Sequence, residues 1–166
     1  MRTLFILVLC VSSLSISAQT KSSDDIIDIL ETTSVDYLKA FTQNDWEAYT
    51  SYAHPNIIKM AGGKELLVKL AQETLDMYKS IGYDIKSGFV TGDSQIVNTG
   101  KDIQAIIPTS LYMVASGQNS IETKIKLFAI SNDFGESWKF VDLSQYDKTS
   151  IKTFVPEFNE TLFDFW

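Results

Sequence analysis

His54 is the only histidine in the 166 residues, and imidazole is the side chain whose ordinary pKa suits proton transfer near neutrality. Asp45, Tyr49 and Tyr52 precede it closely in sequence and could orient it as a general acid or base. It also stands directly before Pro55 at a helix end, where an imidazole commonly caps carbonyls or meets solvent. A second candidate is Asp142, in Phe140-Val141-Asp142-Leu143, on the same strand face as Trp138 and Phe140. If that face looks inward, apolar burial raises the carboxyl pKa and makes Asp142 the best general base of the strand region. The plainer alternative is an Asp at a strand end, facing water or capping the next turn.

Other chemistries lack their parts. A Ser-His-Asp triad would have to use His54, but no Gly-x-Ser-x-Gly elbow presents a serine. Zinc would need mostly carboxylate or water ligands, and neither His-Glu-x-x-His nor a complete EF-hand loop is present. No metal and no cofactor is expected. Gly62-Gly63-Lys64 lacks the spacing and the following Ser or Thr of a phosphate loop, and reads as a turn into a helix. The run Ser131-Asn132-Asp133-Phe134-Gly135-Glu136-Ser137-Trp138 resembles the Asp-box of sialidases and related propellers, with Ser137 in place of threonine. Propellers repeat the box, whereas this chain has one copy, so the reading is a hairpin turn. Asp133 accepts N–H groups across the loop, Gly135 supplies a positive φ, and Trp138 folds back as a plug.

Such side chains act only where elements place them. Arg2 followed by the apolar run Leu4 to Val11 and by Ser15-Ile16-Ser17-Ala18-Gln19 reads as a secretory signal, with cleavage after Ala18. The run is too short for a membrane span. Residues 1–18 are thus expected to be a signal peptide, and 19–166 a single exported domain, periplasmic or secreted, with an apolar tail from about residue 150. Cleavage removes the only Cys and the only Arg, so the charge moves from −7 to −8 with lysine as the sole cation. No thiol chemistry remains, and the bidentate fork that reads phosphate or guanine is missing. Nucleic acid is excluded as a partner, because an acidic chain gains nothing from counterion release.

Within the domain, Leu30, Ser34, Tyr37, Leu38 and Phe41 recur at helical spacing over Ser22–Gln43, with Ser22 or Ser23 as cap. A shorter helix is expected from Trp46 to Ala53, ended by His54-Pro55, then a short strand at Ile57–Met60 and a third helix from Lys64 to Ile81. Beyond Gly82 the period changes to two, predicting strands at 83–91, 102–115, 121–132 and 138–143. Helices followed by a strand meander make an α+β domain: three N-terminal helices packed on a curved antiparallel sheet.

That order, with Asn44-Asp45-Trp46-Glu47-Ala48-Tyr49 feeding Ala53-His54-Pro55-Asn56-Ile57-Ile58, resembles the nuclear transport factor 2-like superfamily, including its SnoaL-like members. The resemblance covers about residues 24–145 and implies a cystatin-like cone, a bent sheet enclosing a pocket against helices. It implies no single activity, since the superfamily holds isomerases, dehydratases, cyclases and non-catalytic binding modules. Its epoxide-hydrolase branch relies on an Asp-Arg-Asp constellation, which a chain without arginine cannot supply.

The leading expectation is a non-catalytic domain binding a small neutral or apolar ligand, or a partner protein. Trp46, Tyr49, Tyr52, Tyr112 and Trp138 are expected to line or lid the pocket. The alternatives are an isomerase- or dehydratase-type enzyme using Asp142 or His54 with a tyrosine as oxyanion donor, and a pure dimerisation module. Phe128 and Ile130 interrupt the charged face of their strand, which points to a homodimer through that face. Eight apolar residues from Phe154 to Trp166 suggest a tail that packs across the pocket mouth, as a lid, or over the open sheet face. Asn159-Glu160-Thr161 is a glycosylation sequon only in a eukaryote.

Overall fold

A computed structural model describes residues 21–115 and 119–165. The expected signal sequence lies outside the described residues. Four helices come first: α1 (Ser23–Thr42), α2 (Trp46–Tyr52), α3 (Pro55–Ala61) and α4 (Lys64–Ser80). Five strands follow, β1 (Tyr83–Val90), β2 (Gln95–Asn98), β3 (Ile103–Ala115), β4 (Ser120–Ser131) and β5 (Lys139–Asp142). A 3₁₀ turn at Leu143–Gln145, the short α5 (Ile151–Phe154) and a second 3₁₀ segment at Glu160–Phe165 complete the chain. Among the described residues no helix is long and apolar enough to cross a membrane.

Local chemistry fixes the helix ends. The Ser22 hydroxyl accepts from Asp25 N–H at 3.1 Å while the Asp25 carboxylate accepts from Ser22 N–H at 3.2 Å, a reciprocal cap that starts α1. Asp45 caps α2 by accepting from Ala48 N–H at 3.1 Å. The strand expected at Ile57–Met60 is α3 instead. Pro55 at the first helical position and His54 at the cap restart the helix, and Gly62 at φ 91° ends it. Among the described residues there are therefore four helices before the sheet, not three.

The sheet is antiparallel, and it curls strongly around the helices. β1 and β2 both pair with the same edge of the long β3, β3 pairs with β4 along almost its whole length, and β4 pairs with β5. β2 is the strand the sequence did not reveal, being only four residues long. The concave face packs Ile107, Leu127, Ala129 and Phe140 against Leu30, Tyr37 and Leu38 of α1 and Leu75 of α4. Gly88 of β1 lies against α1, and a Cβ there would lie 2.7 Å from Leu38 Cβ.

The convex face overturns one expectation and decides another. Phe128 and Ile130 do sit on it with Ile106 and Val141, yet all four are buried, because Ile151, Val155, Phe158 and Leu162 of the tail cover them. The face is filled by the chain itself, so the patch that suggested a homodimer is not free. Of the two places expected for the tail, it takes the open sheet face and does not lid the concave side. Gln104 clamps it in place: its side-chain NH₂ donates to the Glu157 carbonyl at 2.8 Å, and its oxygen accepts from Asn159 N–H at 2.8 Å. With both faces covered, Ile103–Ile107 and Leu127–Ser131 are continuously buried runs, whereas 120–126 are exposed or only partly buried.

Candidate functional site

Between the helices and the concave face lie two cavities that share Tyr37, Phe41, Tyr49, Thr74 and Asp142. The outer one, about 490 Å³, is walled by α2, α3, α4 and β5. The inner one, about 80 Å³, reaches between α1 and α4 to Leu111, Ile125 and Leu127 of the sheet. A further hollow of about 290 Å³, with Lys124 and Lys126 in its wall, meets the inner cavity at Ile125 and Ser144.

Asp142 stands where the two cavities join. As the last residue of β5 it turns inward, and its Oδ1 accepts from Ser144 N–H at 2.8 Å, capping the following 3₁₀ turn. It is thus the cap that the plainer alternative describes, and it also lies in a cavity wall. Burial pushes its carboxyl above the usual aspartate range, and the bonds from Ser144 offset only part of that rise. Three phenols surround it. The rings of Tyr37 and Tyr49 stack at 5.3 Å, with their hydroxyls sharing a hydrogen bond, and Tyr37 stacks on Phe140 at 5.1 Å. Burial raises the pKa of Tyr37, Tyr49 and Tyr146, and the neighbouring Asp142 charge raises each of them further.

His54 is elsewhere. It is buried at the start of α3, where Nδ1 accepts from Asn56 N–H at 3.2 Å and Nε2 lies 3.6 Å from the Glu157 carboxylate. Burial lowers its pKa, opposed by Glu157. Asn56 donates to the Phe154 carbonyl at 2.7 Å, so this corner fastens the tail to α3 and does not face the cavity. The structure thus separates His54 from Asp142 and gives it a structural task.

Of the five aromatic residues expected at the pocket, only Tyr49 reaches the cavity wall. Trp46 packs edge-on against Tyr49 at 6.0 Å, and Tyr52 stands against Phe140 at 6.4 Å, opening into a separate surface hollow. Tyr112 is on the convex face, 38% exposed, and Trp138 is buried in the core as the plug of its turn. There Ser137 N–H and hydroxyl both donate to Asp133, and Gly135 N–H donates to Ser131 Oγ, as the turn reading requires. Tyr37, Phe41 and Tyr146 are the wall residues that sequence reasoning missed. Tyr37 carried a signal, a phenol on the apolar stripe of α1, which must find a polar partner when buried.

Among the described residues no three of His, Cys, Asp and Glu are grouped to hold a metal ion. No protein-family model matches the chain, and no curated protein matches it at a significant level of similarity.

Proposed function

We propose that this is an exported domain of the nuclear transport factor 2-like kind that takes up a small, largely apolar molecule between its helices and its curled sheet. The observation that carries the reading is the junction of the two cavities, where the Asp142 carboxylate and three phenols converge in a chamber whose remaining wall is mostly apolar. Binding sites are built this way, with apolar walls giving affinity and a few converging polar groups fixing orientation. The cavity is open, which favours a binding domain over a scaffold whose interior is filled by its own side chains. The test is native mass spectrometry of protein isolated from its source, followed by the same measurement on Asp142→Asn. A retained small molecule lost from the variant supports the reading, and a bare chain in both that binds no fragment in solution removes it.

A second reading has its own support. A carboxyl raised by burial beside phenol hydroxyls can move a proton on and off carbon while a phenol donates to the developing oxyanion, the chemistry of an isomerase or lyase. Asp142 would be the base and Tyr37, Tyr49 or Tyr146 the donor, and His54 drops out because it lies outside the cavity. Catalysed exchange of the α-hydrogens of a cyclic ketone into deuterated water, abolished in Asp142→Asn, would favour the enzyme. Exchange no faster than buffer would leave binding alone.

A further inference from the structure

We infer that the ligand of this cavity is a small organic cation, a protonated amine on an apolar skeleton. The inference rests on the cavity being a binding site and adds the charge of what it takes. Two carboxylates, Asp142 and Glu73, belong to the wall of the outer cavity, and no Lys or His lines either cavity. Glu73 has an exposed neighbour in Lys69 at 3.8 Å, a pair that solvent screens. Asp142 has no such partner among the described residues, where the ion pairs all involve other carboxylates. A half-buried carboxylate without a counter-charge is costly, and the N–H and hydroxyl of Ser144 compensate only part of the cost.

A protonated amine supplies what is absent. Its N–H groups can donate to the Asp142 carboxylate and to phenol oxygens of Tyr37, Tyr49 or Tyr146, whereas a carbonyl or carboxylate ligand has no donor to offer Asp142. The apolar remainder has Phe41, Leu67 and Leu70 to lie against. An anion would meet Asp142 and Glu73 with no cation in the wall, so it is repelled. A neutral alcohol can donate one bond but leaves the charge uncompensated. The lysines of the third hollow, Lys124 and Lys126, stand on the far side of Ser144, outside both cavities.

The experiment uses the whole domain and matched fragments: amine, alcohol and carboxylate forms of the same aromatic and cycloalkyl skeletons, titrated by ligand-observed NMR at pH 7.5. Amines should bind at least tenfold more tightly than their alcohols, and carboxylates should not bind. Asp142→Asn should erase the preference while alcohol binding persists. Thr74→Lys, which puts an ammonium into the shared wall from a helix that tolerates lysine, should abolish amine binding even if the first variant folds poorly. Alcohols binding as tightly as amines, or a preference that survives both variants, would overturn the cation and leave the pocket standing. Failure of every fragment of all three kinds would remove the pocket reading and this inference with it.

Discussion

Replacing Phe158 with alanine asks whether the tail is part of the fold or a strap laid over it. Phe158 is 3% exposed, and its ring centre lies 5.0 Å from that of Phe128 on the sheet and 4.9 Å from that of Phe163 in the tail. Truncating a buried phenylalanine costs about 3–5 kcal/mol, from lost transfer energy plus the cavity left behind. A domain of this size is stable by only about 5–15 kcal/mol, so the change should be a large share of the total. With a urea dependence of about 2 kcal/mol/M, the unfolding midpoint should fall by about 2 M. The assay is equilibrium urea unfolding followed by tryptophan fluorescence and far-ultraviolet circular dichroism, which must coincide. A loss below about 1 kcal/mol would refute the reasoning, because the tail would then be a loosely held flap. A reduced urea dependence with little loss would say that the variant's tail has already detached in the native state.

Asp142→Asn should raise the melting temperature at neutral pH, with the gap between variant and wild type closing toward pH 3. The folded carboxyl is raised, so its contribution is most favourable below the unfolded value near 4 and is lost as pH rises through the folded value, while asparagine mimics the protonated form throughout. Asp133→Ala should cost about 1.5–3 kcal/mol at pH 7 by chemical denaturation, since that carboxylate accepts several bonds within its turn. Burial alone would raise the Asp133 carboxyl, but bonds from Ser137, Ser131 and Glu136 hold it below the usual range. Its stabilisation is therefore present above the unfolded value and lost as pH falls through the folded one, a dependence the variant should lack. Gly88→Ala should destabilise by about 1–3 kcal/mol in the same assay, as the new methyl meets Leu38 Cβ on a packed helix. If residues 1–18 are a signal, the intact mass of the protein isolated from its source should correspond to residues 19–166, and a chain that retains Met1 or carries lipid on Cys10 would rule out the signal reading.

The α+β plan was legible because its signals are local. Ser22 with Asp25, Asp45, Gly62 and Gly82 punctuate the helices, and the change from a period of three to four to a period of two at Tyr83 marks the sheet. Ile57–Met60 misled because four apolar or long residues between a Pro and a Gly pair fit strand or helix equally, and the His54 cap decides the matter only in three dimensions. Glu122 and Lys124 of β4 are exposed, as the charged face of that strand implies. What followed at Phe128 and Ile130 depended on residues some thirty positions away, which no window along the chain contains. Asp142 was identifiable by type and face. Its partners Tyr37 and Tyr146 were not, because their meeting depends on how far the sheet curls over α1.

The placement of the tail also bears on how the molecule comes to be folded. Gln104 on β3 waits for Glu157 and Asn159, more than fifty residues later, and until they arrive Ile106, Phe128 and Ile130 form a bare apolar surface on a formed hairpin. Chains generally gather their early segments first, and pairings between distant segments come late and slowly. The helices and the β3–β4 hairpin can thus assemble while the outer side of the sheet is still adhesive, so the interval before the last segment docks is when molecules would stick to one another. Refolding yield should accordingly fall with protein concentration far more steeply for Phe158→Ala than for a variant of equal stability altered on α1, such as one at Leu30, because only the former lengthens that interval.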